Sequence, residues 1–477
     1  MAPDDGGGQP PTARGFRAAM PTLYASIMFE RFSRALALAS ALACAGLSLW
    51  ARPAGATDEE RPLPDYDGRE PPATTPGDVL LWVPRVIFFP VYLVAEYLIR
   101  APLGFLIAGA ERSGAPAWLY DLFTFGSNHE AGVIPTVYAD FAFYPSVGVY
   151  AFWDNAFFAH HDLRIRAAFG GGDWLVAAFS ERYNFGADRR DRIALEGTAM
   201  RRPDYTFFGI GPDTRQSNLS RYGLGYLEGR AMVDIRPWRE STLHAQLTLR
   251  DSKFFRGGYD GDPTLADLVE AGNLQLPPAY TEGYTLVSGQ FSASFDSRKP
   301  RPEPGSGVRV ALEAVPGSLL GQGGGFVRYA GTVGGFWDVN GRRRVLALAI
   351  GARFIEPIGD PTIPFTELVT LGGTEPMKGL YPGRLYDRSA IVAGLAYRWP
   401  IWIWLDGLMR MEFGNVFGEH LDGFRAGRIR WSGAIGVESN GEADSAFQLQ
   451  LGAGSETFES GAKVDSFRFA VGATHGF

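Results

Sequence analysis

The sequence predicts an all-β fold, a transmembrane antiparallel β-barrel of about sixteen strands preceded by a short helical periplasmic segment. The first observation is alternation within residues 465–477. Phe467, Phe469, Val471, Ala473 and Phe477 fall on one face, and Ser466, Arg468, Ala470, Gly472 and Thr474 on the other. Successive side chains of a strand point to opposite sides, so this segment has one oily face and one polar face. The second observation is repetition. In 446–454, Phe447, Leu449, Leu451 and Ala453 oppose Gln448, Gln450, Gly452 and Gly454. In 241–250, Leu243, Ala245, Leu247 and Leu249 oppose His244, Gln246, Thr248 and Arg250. Many such runs reach about nine residues or more, the length a tilted strand needs to cross the hydrocarbon layer, whereas strands of soluble sandwiches run to about five or six. Composition is the third observation. Glycine, at 61 residues, and an aromatic share of 13% suit tight turns, a crowded lumen and interfacial girdles. A mean hydropathy of -0.06 argues against a helical membrane protein, because a barrel hides its apolar surface in alternate positions.

From the N-terminus, residues 1–56 read as a signal peptide. Arg31 and Arg34 flank an apolar stretch over 35–50, and Ala54-Gly55-Ala56 is a small-x-small cleavage site ahead of Thr57-Asp58-Glu59-Glu60. Met20 and Met28 are alternative starts. A lipid-modified Cys44 is the competing reading, but Ala41-Leu42-Ala43 is a poor lipobox and the apolar stretch continues past the cysteine. As the single cysteine, Cys44 allows no disulfide framework and no cysteine metal site. Residues 57–77, rich in Pro, Asp and Glu, form a flexible linker. Residues 78–131 form an amphipathic helical segment: Arg85, Glu96 and Arg100 share one narrow stripe, and Pro84, Pro90 and Pro102 break the helix. An inner-membrane span is the rival reading, disfavoured because it would hold back the barrel behind it; the periplasmic leaflet or the barrel mouth is the preferred place.

The barrel occupies 132–477. Its strand candidates are 133–143, 147–158, 163–169, 174–185, 192–202, 222–238, 242–254 and 284–296, then 308–315, 326–339, 345–355, 389–401, 405–417, 429–439, 446–454 and 467–477. An even count puts both termini on the periplasmic side, so the long connections 202–222, 254–284 and 356–389 are extracellular or folded into the barrel. The terminal Phe477 reads as part of the closure between last and first strands, with Gly472 and His475 as weak points in that last strand.

The connection before the twelfth strand reads Leu371-Gly372-Gly373-Thr374-Glu375-Pro376-Met377-Lys378-Gly379-Leu380-Tyr381, followed by Asp387-Arg388. Asp296-Ser297-Arg298 with Pro304 and Gly307, Tyr397-Arg398-Trp399-Pro400 and Gly414-Asn415-Val416-Phe417 accompany it. In this order the four stretches resemble the bacterial surface antigen barrel of the BamA/TamA outer-membrane assembly superfamily. The resemblance implies a sixth loop whose tip, Lys378, Gly379, Leu380 and Tyr381, folds inward. In the family an arginine at the tip reaches an aspartate on a neighbouring strand; here Lys378 and Glu412 hold those places. Parity puts Arg410, Glu412 and Gly414 on the lumen side and Met409, Met411 and Phe413 on the lipid side, so a contact between Lys378 and Glu412 is allowed. Lysine lacks the bidentate fork, which implies a looser anchor. Leu380 stands in place of the aromatic tip, and Arg410 stands where the family often has Phe. Arg398 is either a specific partner or a lumen charge that keeps the interior wet.

These residues exclude several function classes. A net charge of -7 with scattered Lys and Arg offers no basic stripe for nucleic acid. His160 and His161 are adjacent on a strand and face opposite ways, which disfavours a metal site. No nucleophile elbow, phosphate loop or zinc helix occurs, so neither catalysis nor a cofactor is expected. Family members use periplasmic POTRA domains to capture clients, and residues 57–131 lack the strand and helix pattern of one. The expectation is a monomeric outer-membrane barrel of a Gram-negative bacterium that helps insert or translocate proteins or lipids through a first-strand/last-strand seam, with membrane lipids and unfolded proteins as partners. A passive channel or structural barrel is the alternative; an outer-membrane lipase lacks candidate residues.

Overall fold

The computed structural model describes residue 118 and residues 121–474, apart from 187–188, 300–304, 403–404 and 440–445. The expected signal peptide, the linker and nearly all of the 78–131 segment lie outside the described residues, as do His475 and Phe477. Sixteen strands form the wall. They are β1 (Ala131–Asp140), β2 (Ser146–Trp153), β3 (His161–Gly171), β4 (Trp174–Phe185), β5 (Asp191–Phe207), β6 (Ser220–Ile235), β7 (Thr242–Arg256) and β8 (Tyr284–Asp296). There follow β9 (Gly307–Leu319), β10 (Gly324–Asp338), β11 (Val345–Ile358), β12 (Ser389–Trp402), β13 (Leu405–Phe417), β14 (Arg430–Ser439), β15 (Ala446–Ser455) and β16 (Val464–Thr474). Each pairs antiparallel with the next, and β16 returns to β1, closing the cylinder. Among the described residues no helix is long and apolar enough to cross a membrane.

The alternation in sequence becomes an oily outside and a polar inside. Along β4, exposed and buried residues alternate: Leu175, Phe179 and Tyr183 face outward while Val176, Ala178, Ser180 and Arg182 are buried. The outward set continues around the wall as Ile193, Leu195, Leu227, Leu247, Leu249, Phe291, Phe295, Leu348 and Ile350. Apolar exposure on this scale is uncommon on a soluble monomer and is what a surface solvated by lipid requires.

Several boundaries differ from the sequence reading, among them that of β2, which ends at Trp153 rather than at 158. β5 continues past Arg202 to Phe207, because the chain steps over Pro203 with a register shift between Arg202 and Tyr205 and then resumes pairing with β6. β9 likewise runs through Pro316 to Leu319, its pairing with β8 interrupted at Val315 and Pro316. β1 ends at Asp140 rather than at 143; Ala142 has a positive φ of 65°, and Phe143 turns inward and is buried.

The connection between β11 and β12 does not stay outside. Phe365, Leu368, Val369, Leu371, Met377, Leu380, Leu385 and Tyr386 all pack in one apolar cluster with Phe207, Tyr222, Tyr284 and Phe326 of the wall. The barrel therefore contains a dry core of its own, made by this loop.

Candidate functional site

The inward loop is shaped by local backbone rules. Val369–Leu371 pairs with Leu385–Asp387 as a short ribbon, which satisfies backbone groups that burial would otherwise leave without partners. At its end, Gly372 and Gly373 take φ of 107° and 69°, conformations open to glycine, and their N–H groups donate to Pro376 and Leu380 carbonyls at 2.8 and 2.9 Å. The tip then lies flat on the wall. An added Cβ at Gly379 would meet the Ala453 carbonyl oxygen at 2.1 Å, and one at Gly452 would meet the Gly379 Cα at 2.8 Å. Two glycines thus permit the closest approach of loop and strand.

Glu412 fixes the tip through its backbone. Its Oε2 accepts from the N–H groups of Met377 and Lys378 at 2.8 and 3.1 Å. Gly379 donates to Ser432 Oγ at 2.8 Å, and Ser466 Oγ donates to the Gly379 carbonyl at 3.1 Å. The sequence reading paired the Lys378 ammonium with Glu412; instead the carboxylate takes the peptide donors, and among the described residues the ammonium forms no ion pair. Met377 has a φ of 67°, which turns two successive N–H groups toward one carboxylate oxygen. A carboxylate accepting backbone donors is a strong arrangement that needs no particular side chain at 378.

The other expected residues are placed as follows. Leu380 is fully buried and fits against Gly454, where a Cβ would meet its Cδ2 at 2.2 Å. Tyr381 is buried beside Phe143 and stacks on Phe208 with centroids 6.4 Å apart. Burial pushes its phenol up to about 12, and burial likewise pushes Tyr386 up to about 12. At the loop base Asp387 Oδ1 accepts from the Arg388 N–H at 2.8 Å, while burial raises its carboxyl above the usual range. Arg388 bridges Glu356 and Glu419, both at 2.8 Å. Arg398 pairs with Glu438, so it has a specific partner. Gly414 packs under Ile391 and Val392 of β12. Arg410 makes no hydrogen bond or ion pair among the described residues, and its Nε is buried. Of the last-strand residues, Gly472 pairs in register with Tyr138.

Among the described residues the seam between β16 and β1 is short. Its ladder consists of Ala470↔Asp140, Val471↔Ala139 and Gly472↔Tyr138, extended by a 2.7 Å bond from the Phe141 N–H to the Phe469 carbonyl. β16 continues through Ala473 and Thr474 paired with β15, while β1 below Tyr138 has no β16 partner among the described residues. An ion pair reinforces this short ladder. Arg468 Nη2 donates to Asp140 Oδ2 at 2.6 Å and Nε donates to both oxygens at 3.2 Å, with both side chains 4% exposed. The same guanidinium donates through Nη1 to the Gly373 carbonyl at 2.7 Å. One side chain therefore holds the first strand, the last strand and the loop.

A second arginine repeats the theme. Arg384, fully buried, donates to Thr214 Oγ1 at 2.7 Å and Asp465 Oδ2 at 3.0 Å, joining the loop to the start of β16. On the far side Glu367 accepts from Arg250 and from the Tyr284 hydroxyl. The sequence reading missed Asp140, Arg384, Glu367 and Arg468 as partners. Their signal was charge on the polar faces of membrane-crossing strands and within a loop otherwise buried, where an unpaired charge is costly.

The sequence profile of the Omp85 superfamily domain matches residues 174–454. Among solved structures, BamA from Haemophilus ducreyi lacking POTRA domains 1-3 shares 12% identity over 72% of this chain and 70% of its own, with a TM-score of 0.50. CdiB from Acinetobacter baumannii shares 9% identity over 72% of this chain and 60% of its own, with a TM-score of 0.44. No curated protein matches.

Proposed function

Because the chain belongs to the Omp85 superfamily, we propose that it is an outer-membrane barrel that assists insertion or translocation of polypeptides by opening the β1–β16 seam. The observation that carries the reading is the seam itself. Among the described residues three residue pairs hold it, reinforced by the buried ion pair of Asp140 with Arg468.

Opening such a seam exposes two rows of unpaired backbone N–H and C=O groups. In lipid each such group costs several kcal/mol, so an incoming extended segment that pairs with them is strongly favoured. The edge of β1 acts as a template whose currency is main-chain hydrogen bonding, which tolerates many client sequences. The inward loop supports the closed state, because Arg468 binds Gly373 and Arg384 binds Asp465. Displacing the loop and parting the seam are then one coupled event. No step breaks or forms a covalent bond, and no catalytic residue or cofactor is required.

The test is reconstitution. Purified full-length protein in liposomes is expected to accelerate folding of an unfolded model barrel several-fold over protein-free liposomes. Ion conductance without any acceleration would favour a passive channel and remove the insertion reading.

A further inference from the structure

The rim at the end of the barrel that carries the chain termini is charged on one side only. Four of its connections, residues 186–190, 236–241, 297–306 and 339–344, join β4 to β5, β6 to β7, β8 to β9 and β10 to β11, and hold ten Lys or Arg against three Asp or Glu. The other three connections at that end, 154–160, 403–404 and 440–445, hold no Lys or Arg and three Asp or Glu. Those three lie on the half of the wall that contains the seam, so the cationic arc is on the other half. In a chain of net charge -7 this sidedness is not a consequence of composition.

The cations face the surroundings. Arg189, Arg236, Arg239, Lys299 and Arg342 are exposed, and every one of the four connections contributes. The neighbouring carboxylates have other partners: Asp191 accepts from the Arg236 N–H at 2.8 Å, Glu240 takes Arg190, Asp296 takes Arg298, and Asp338 accepts from the Arg343 N–H. Among the described residues no carboxylate holds the side chain of Arg189, Arg236, Lys299 or Arg342. Aromatic rings accompany them. Trp238 stacks on Phe295 with centroids 5.1 Å apart, the Arg239 guanidinium lies 4.7 Å from the Trp238 ring centroid, and Trp238, Phe295 and Trp337 are all exposed. Cations beside exposed tryptophans at the end of an oily wall mark the level of lipid headgroups.

An apolar depression of about 440 Å³ lies next to this stack on the wall. Its lining includes the small Ala245 and Ala293 beside the exposed Ile235, Leu243, Phe291 and Leu312. The polar residues in it, His244, Ser292 and Glu313, have the opposite parity, which directs their side chains to the lumen. Register fixes its place: Ile235 pairs with Leu243 and Leu243 with Ala293, two residues before Phe295 and beside the connection that carries Arg236 and Arg239.

We propose that this arc is a docking surface for anionic phospholipid, with an acyl chain in the depression and the headgroup phosphate among Arg236, Arg239 and Lys299. With the termini on the periplasmic side, as an even strand count places them, the leaflet is the inner one. Each exposed cation at headgroup level favours an anionic lipid over a zwitterionic one. An acidic protein would answer the cations but leave the depression and the tryptophans, which face hydrocarbon, without an occupant. The surface stands whether or not the seam opens.

The test attaches a bimane at Leu247→Cys, two residues beyond Ala245 on the outer face of β7, or at Val149→Cys on β2, each in a Cys44→Ser background. Full-length protein is reconstituted in bilayers of phosphatidylcholine and phosphatidylglycerol, and quenching is compared when one lipid or the other carries brominated chains. Phosphatidylglycerol is expected to be preferred about threefold or more at residue 247 and not at residue 149. Salt should lower that preference. Arg236→Gln combined with Arg239→Gln and Lys299→Gln should abolish it, whereas Lys253→Gln, toward the opposite end of β7, should leave it. Retention of the heat-modifiable folded band on gels verifies each variant, and Lys299→Gln alone, expected to lower the preference by about half, carries the test if the triple variant does not fold. Equal quenching by both lipids at residue 247, the same preference at residue 149, or a preference undiminished in the charge variants overturns the proposal.

Discussion

Arg468 of the last strand donates to Asp140 of the first strand and to the Gly373 carbonyl of the inward loop, so a single guanidinium ties the closure of the barrel to its plug. Asp140 takes this arginine across the seam, and Asp465 on the same last strand takes Arg384 from the same loop.

Removing one member of the Asp140 and Arg468 pair strands a buried charge. Asp140→Ala and Arg468→Ala are each expected to lower seam stability by about 3–5 kcal/mol, while the double variant costs less than the sum. Denaturant titration of the heat-modifiable band reads this; strict additivity would show that the two side chains do not act as a unit.

Glu412 anchors peptide N–H groups, so its loss and the loss of the Lys378 side chain should differ. Glu412→Ala leaves two buried donors without an acceptor and is expected to cost about 1–3 kcal/mol per donor. Lys378→Ala should change loop stability little. Protease sensitivity of the loop measures both. Equal sensitivity of the two variants would restore the side-chain anchor that the sequence suggested.

Gly379 has no room for a side chain. Gly379→Ala places a methyl against the Ala453 carbonyl and is expected to lift the tip, at a cost of about 1–3 kcal/mol. Loss of loop protection in hydrogen exchange should be confined to residues near the tip. Gly229→Ala, on β6 where nothing lies within 4 Å, serves as the comparison, because neither Gly229 nor Gly379 has a positive φ and only the space for a methyl differs.

Alkali should release the loop. Tyr381 and Tyr386 are held neutral by burial, with folded values of about 12 against an ordinary value of 10.0. Raised folded values mean that their stabilisation is complete below pH ~10 and is lost as pH rises from there through about 12. Phenolate absorbance should show late-titrating tyrosines, and Tyr381→Phe with Tyr386→Phe should remove that late component.

The wall was legible in the sequence because alternation is local: every strand carries its own oily and polar faces, and all sixteen were found. Proline misled at Pro203 and Pro316, where the ladder bends around a missing donor rather than stopping. The loop motif marked Glu412 correctly as a lumen residue, yet its acceptor role depended on the backbone turn at Met377, which no spacing reveals. Asp140 and Arg468 lie 328 positions apart and meet only because the cylinder closes. Long-range charge pairing is a property of closure, so it could not be read from either strand alone.

The most direct measurement locks the seam. The bond from Phe141 to Phe469 makes Tyr138 and Gly472, three steps along, a non-hydrogen-bonded pair whose Cα atoms are expected about 4.5 Å apart, within disulfide reach. Tyr138→Cys with Gly472→Cys, in a Cys44→Ser background, is oxidised, reconstituted and assayed for folding of a model barrel before and after reductant. The account predicts that activity is lost on oxidation and returns on reduction, with each single cysteine variant unaffected. Full activity with the disulfide quantitatively formed would contradict it.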